Sequence, residues 1–261
     1  MTRALQAEWT KLRTIHSTGW SLGLALVLMV LLSALAGAES ETAGCPASGC
    51  DSDIVATSLG GVYFGQFAVI ALAVMAMGSE YGTGLIRVTF VAEPRRRVVL
   101  IAKALAVGGA VLVVGLLASV LMFQIASSLL AGNGYNAEIG YPEWSLTDPE
   151  VLRAVGGTAL YLVAVALLSL GIAALLRHTA AAISTVTALL VVPVFAAELL
   201  PEHISDRVVQ ISPMTAGLAI QRTVELPDTV PIDPWVGLGV ACLWSLAAMA
   251  AALWLVGRRD A

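Results

Sequence analysis

Charge is what this chain has least of. Asp, Glu, Lys and Arg together make up 12% of its 261 residues, whereas about a quarter of a water-soluble domain is charged. So little charge cannot cover a soluble surface, and 58% of the residues are hydrophobic. With a mean hydropathy of +0.87, the chain reads as one whose solvent is mostly lipid. The same scarcity argues against nucleic acid as a partner, because beyond one short loop there is no basic surface to meet a phosphate backbone.

Other absences narrow the chemistry. The histidines His16, His178 and His203 are far apart, and there is no HExxH or GxSxG motif, so no intramembrane hydrolase is visible. No GxxxxGK[ST] loop is present, so any nucleotide energy has to come from another polypeptide. The interiors of the apolar runs contain almost no ionisable group: Gln66 and Gln124 are uncharged, and Glu198 is near an end. An ion-driven carrier usually places Asp, Glu or His at that depth. Cysteine is equally sparse. In Cys45-Pro-Ala-Ser-Gly-Cys50, Pro46 and Gly49 favour a turn that brings the sulfurs together. A local Cys45–Cys50 disulfide is the expectation if that loop faces an oxidising compartment, and two free thiols are the alternative. No further Cys or His accompanies the pair, so no metal site is expected. Cys242 reads as a small packing residue.

What the chain does have is six long apolar runs, at about 19–38, 54–77, 98–130, 152–176, 180–200 and 235–256. A spanning helix needs roughly 17–25 mainly apolar residues. Lipid-exposed backbone must satisfy its own hydrogen bonds, which selects helices, and the continuous runs lack the alternation of a barrel. The expected fold is an all-α membrane protein, one domain over 1–261 with six transmembrane helices. Pro193 falls inside the fifth run and predicts a kink there. Gly61-x-x-x-Gly65 matches the small-residue pattern of close helix contacts, including dimers.

Charge asymmetry orients the chain. With the N-terminus inside, Arg3, Lys11, Arg13, Arg87, Arg95, Arg96, Arg97, Lys103, Arg177, Arg258 and Arg259 all fall inside. Only Arg153, Arg207 and Arg222 fall outside, while most acids do. The positive-inside rule then predicts a multi-pass protein of the cell membrane with both termini cytoplasmic. Ahead of the first run, Leu5, Trp9 and Leu12 share a helical face, with Lys11 and Arg13 beside it. This predicts a short helix lying in the membrane interface. Between the fifth and sixth runs, residues 201–234 are partly apolar yet cut by five prolines from Pro201 to Pro234. Re-entrant or interfacial helices account for both properties, provided protein covers their broken ends.

The most informative stretch is Gly78–Lys103, GSEYGTGLIRVTFVAEPRRRVVLIAK. A carboxylate follows an apolar run, glycines allow a sharp turn, and Arg95–Arg97 would meet headgroups or an acidic partner. Glu80-Tyr81-Gly82-Thr83-Gly84, then Arg87, Pro94-Arg95-Arg96 and Lys103, resembles the permease subunits of ABC-2 type exporters. Those subunits have an acidic residue and Gly-Thr at the end of the second helix, followed by a basic loop. Ala7-Glu8-Trp9-Thr10-Lys11-Leu12-Arg13 is similar to the N-terminal connecting helix of actinobacterial members. Tyr81 stands where those members often have a charged residue.

The resemblance implies a transport subunit that is not itself an enzyme. It would pair with a second permease copy or homologue and with a cytoplasmic ATPase. This chain would bind no cofactor, ATP and Mg²⁺ being held by the ATPase. Glu80, Tyr81, Gly82, Thr83, Gly84, Arg87, Pro94, Arg95 and Arg96 would form the coupling element against that ATPase. A hydrophobic or amphipathic substrate would be exported, and membrane lipid would surround the spans. The competing readings are a membrane sensor or assembly protein that docks a cytoplasmic regulator, and an ion-driven secondary transporter.

Overall fold

The computed structural model describes residues 2–14, 16–40, 52–82, 85, 95–135, 144–224 and 230–258. Among them there are ten α-helices and no strand. The helices are α1 (Thr2–Thr14), α2 (His16–Glu39), α3 (Ile54–Ser58), α4 (Val62–Gly82), α5 (Arg96–Gly132), α6 (Pro149–Leu176), α7 (Thr179–Leu199), α8 (Glu202–Ile211), α9 (Pro213–Leu218) and α10 (Pro234–Val256). A 3₁₀ turn, Ala219–Gln221, follows α9. Six of the helices, α2, α4, α5, α6, α7 and α10, are long and apolar enough to cross a membrane. The architecture is that of a multi-pass membrane protein.

Helix α6 is the hub. It packs against α10, α5, α4 and α7, and its most apolar window is 72% buried. The corresponding windows of α2 and α7 are only 22% and 17% buried, so these two helices are peripheral. Several polar groups that enter the bundle are paired, since an unpaired one is costly away from water. The Tyr161 hydroxyl donates to Gln66 Oε1 at 2.6 Å, and Gln66 Nε2 donates to the Tyr63 carbonyl at 2.9 Å. This pair ties α6 to α4. Gln221 Nε2 donates to Thr158 Oγ1 at 2.9 Å, which seats the turn after α9 on α6.

The second run differs from its sequence reading. In place of one helix over 54–77 there is a short α3, a break at Leu59–Gly61, and α4 running on to Gly82. Two contacts explain the break. Asp53 caps α3 through Ala56 N at 3.0 Å, and the backbone at Gly61 comes too close to α2 for any side chain. A Cβ at Gly61 would lie 1.9 Å from the Met29 carbonyl oxygen, and one at Gly65 would lie 2.0 Å from Met29 Cγ. The buried Ser33 hydroxyl accepts from Gly61 N at 2.9 Å. The Gly61-x-x-x-Gly65 pattern therefore serves contact between two helices of the same chain.

The 201–234 segment is helical over α8, α9 and the 3₁₀ turn, and α9 and the turn pack against α10. Trp244 Nε1 on α10 donates to the Ile211 carbonyl at 3.0 Å, closing the C-terminal end of α8. Asp53 also reaches across to this region. Its carboxylate accepts from Thr223 Oγ1 at 2.8 Å and from Val224 N at 3.1 Å, as well as from Thr223 N. Cys45 and Cys50 lie outside the described residues.

Candidate functional site

Four charged side chains from three helices meet at one end of the bundle. Glu8 and Lys11 stand three residues apart on α1, a spacing that puts them on one face. Glu80 comes from the last turn of α4 and Lys103 from the early part of α5. Lys103 Nζ lies 2.5 Å from Glu8 Oε2 and 2.9 Å from Glu80 Oε1. Lys11 Nζ lies 2.7 Å from Glu8 Oε1 and 2.8 Å from the same Glu80 oxygen. Two carboxylates and two ammonium groups thus close a ring without net charge.

Burial makes the ring consequential. Glu8, Glu80 and Lys103 are 4%, 5% and 3% exposed. A buried ion costs several kcal/mol unless its partners are well placed, and here each of the three has two contacts. Lys11 is the wet member. Burial pulls its ammonium down, but hydrogen bonds to Glu8 and Glu80 and their negative charge outweigh that, so its pKa is raised. The second oxygen of Glu80, Oε2, is buried with no hydrogen-bond partner among the described residues.

The length of α5 explains how a lysine can sit here. At ~1.5 Å per residue, its 37 residues extend well beyond a hydrocarbon core of roughly 30 Å. Lys103 lies in the second turn of α5, close to its N-terminal end. Glu80 was expected just beyond the second run, and Lys103 near the cytoplasmic start of the third run, 98–130. The structure instead places Glu80 inside α4 and buries both residues, because α4 continues past Met77 and α1 closes over the pair.

Tyr81, next to Glu80, meets the turn between α6 and α7. The Arg177 guanidinium sits 5.3 Å from its ring centroid. Arg177 adopts a left-handed backbone (φ 55°), which ends α6, and His178 Nδ1 then caps α7 by accepting from Ala181 N at 3.3 Å. The end of α4 is thereby joined to two further spans. Gly82 closes α4, Arg95 stands at the N-cap of α5, and Arg96 begins that helix. Thr83, Gly84, Arg87 and Pro94 lie outside the described residues.

On α1, Glu8 is the buried residue and Leu12 packs against the core, whereas Leu5 and Trp9 are exposed and Arg13 points outward. The helix packs along α5 and touches α2. Sequence periodicity singled out Leu5, Trp9 and Leu12 as one face. It missed that Glu8 is the anchor, since a lone acid among bases looks solvated. The only available signal was the pairing of Glu8 and Lys11 at helical spacing.

The ring offers no nucleophile beside a base and no histidine. Among the described residues no group of three or more His, Cys, Asp or Glu gathers as metal ligands. Chemically, the ring can fix three helix ends to one another through charge. Compared with known proteins, the chain matches no family model and no curated protein.

Proposed function

We propose that this chain is the membrane-spanning permease subunit of an ATP-driven exporter of the ABC-2 type, with both termini and the Glu80 end of the bundle in the cytoplasm. One observation carries the reading. Three of the pieces of sequence on which the resemblance rests, Ala7–Arg13, the Glu80 motif and Lys103, contribute Glu8, Lys11, Glu80 and Lys103 to one largely buried ring. A force applied to the chain just after Gly82 would reach α1, α4 and α5 together, because the ring ties their ends. Through Tyr81 and Arg177 it would also reach the turn between α6 and α7. An ATPase closing on ATP supplies such a force, and the spans would rearrange as a unit to release a hydrophobic or amphipathic cargo outward.

The exposed Leu5 and Trp9 on α1 support an interfacial position for that helix, with its Trp among the headgroups. The helices between α7 and α10 suit a cap or re-entrant element on the opposite face. Buried Glu80 and Lys103 also bear on the carrier reading, because ionisable groups within spans often mark ion pathways. Their mutual pairing at a helix end, rather than in mid-bundle, favours the coupling role.

The test is purification of the full chain from its native membrane. A P-loop ATPase should accompany it in stoichiometric amount, and transport by the reconstituted complex should require ATP. Transport by the chain with no ATPase attached overturns the reading. Topology gives a second check. With the three native cysteines replaced, Ser79→Cys should resist a membrane-impermeant maleimide on intact cells and react once the cells are opened. Labelling from outside would reverse the orientation and end the proposal.

A further inference from the structure

The start of α5 and the end of α10 form a cleft that shares Arg95 and Arg96 with the coupling element but adds Arg97, Val98 and Gly257. It has a volume of about 460 Å³ and is lined by Arg95, Arg96, Arg97, Val98 and Gly257. The Arg97 guanidinium lies against Gly257, where an added Cβ would come within 3.1 Å of its Nε and Nη2. The next residue, Arg258, stacks its guanidinium 4.2 Å from the Trp254 ring centroid. Trp254 is 53% exposed near the end of α10.

These features select an anion. Three successive arginines at the start of α5 line the cleft, Arg258 follows its Gly257 wall in sequence, and neither Arg97 nor Arg258 takes part in an ion pair among the described residues. Helix α5 begins with no acidic residue in its first turn and no side-chain cap, so the positive end of its dipole adds to the guanidinium charge. Guanidinium forks match phosphate oxygens better than ammonium groups do. The features also select where that phosphate comes from. The cleft lies at the ends of two spans beside an exposed tryptophan, the residue that sits at headgroup depth. Basic pockets between spans at a membrane surface bind acidic headgroups.

We propose that this cleft binds the phosphodiester headgroup of an anionic phospholipid in the leaflet on the Glu80 side. The lipid would brace the first turn of α5 against the end of α10. The assignment requires the chain to sit in a bilayer and requires no ATPase, so it stands or falls apart from the export reading.

Native mass spectrometry of the full detergent-purified chain, titrated with phosphatidylglycerol or phosphatidylcholine, tests it. The expected result is at least about a tenfold preference for phosphatidylglycerol, reduced to near parity in Arg97→Gln/Arg258→Gln. Gly257→Leu keeps every charge but fills the cleft, and should cause the same loss. Arg3→Gln/Arg13→Gln removes equal charge from α1 and should leave the preference intact. Equal binding of the two lipids by the wild type overturns the proposal, as does a preference that survives both cleft variants. Inorganic phosphate binding as tightly as the lipid would mark a free-anion site and overturn the lipid assignment. Loss of a co-purifying protein from the cleft variants, with lipid preference unchanged, would assign the cleft to that protein instead.

Discussion

Lys103 Nζ and Glu8 Oε2 lie 2.5 Å apart although 95 residues separate them in sequence. The contact joins the first helix of the chain to its longest. Glu80 accepts from the same ammonium group at 2.9 Å, and because Lys103 is the buried cation of the ring, it is the residue whose loss should be felt most.

Lys103→Met removes that cation and leaves Glu8 and Glu80 sharing Lys11. Breaking a buried ion pair by deleting one partner costs roughly 3–5 kcal/mol. The expected outcome is a lower thermal midpoint in detergent for Lys103→Met. A second substitution, Glu8→Gln, should restore part of the loss, because it removes one of the stranded carboxylates. Additive effects of the two substitutions in a double-mutant cycle would show that the contact carries no coupling.

The pH dependence of α1 docking follows from Lys11. Its folded-state pKa is raised above the ordinary 10.5, so the charged form is favoured by folding. The stabilisation is complete below 10.5 and is lost as pH rises through the higher folded value. Hydrogen exchange of residues 5–13, corrected for the intrinsic rate, should report unchanged protection from neutral pH to about 10, with release at more alkaline pH. Lys11→Met should remove the alkaline step.

The two glycines facing Met29 should respond differently to the same change. At Gly65 an added Cβ meets the Met29 side chain, whereas at Gly61 it meets the Met29 backbone oxygen. Gly65→Ala should cost about 1–3 kcal/mol from overpacking, and Met29→Ala should relieve it. Gly61→Ala should be at least as costly and should not be relieved by Met29→Ala. Melting the four variants in detergent separates the cases.

Asp53 holds two loops at once, capping α3 and accepting from Thr223 and Val224. Asp53→Asn retains one acceptor oxygen and removes the charge. The loss should be about 1–3 kcal/mol, the range for hydrogen bonds to a charged group. Hydrogen exchange should accelerate at the Thr223 and Val224 amides. Unchanged exchange there would show that the clamp is not formed in solution.

The fully buried Tyr161–Gln66 link should be worth less than its burial suggests. Tyr161→Phe deletes the donor to Gln66 Oε1. Hydrogen bonds between spans average about 0.6 kcal/mol and reach about 1.7, so the expected cost lies in that range. A larger loss of stability would mean that Gln66 finds no other donor when Tyr161 is gone.

Sequence alone determined the number of long apolar helices, their approximate places and the class of protein. Apolarity is a property of a segment, and lipid allows an apolar segment almost no backbone but helix. In the structure Asp148 and Asp233 stand at the N-caps of α6 and α10, each followed by a proline as the first helical residue, and Arg177-His178 separates α6 from α7. Tertiary structure decided what charge and glycine are for. Glu80 read as a loop residue until α4 proved longer than its apolar run, and nothing in the third run paired Lys103 with Glu8 until α1 folded over it. Gly61 and Gly65 read as a close-contact pattern with no assigned partner until Met29 of α2 met them. A side chain's residue type limits what it can bind, but its partner is set by which helix ends meet, and those meetings join positions far apart in the chain.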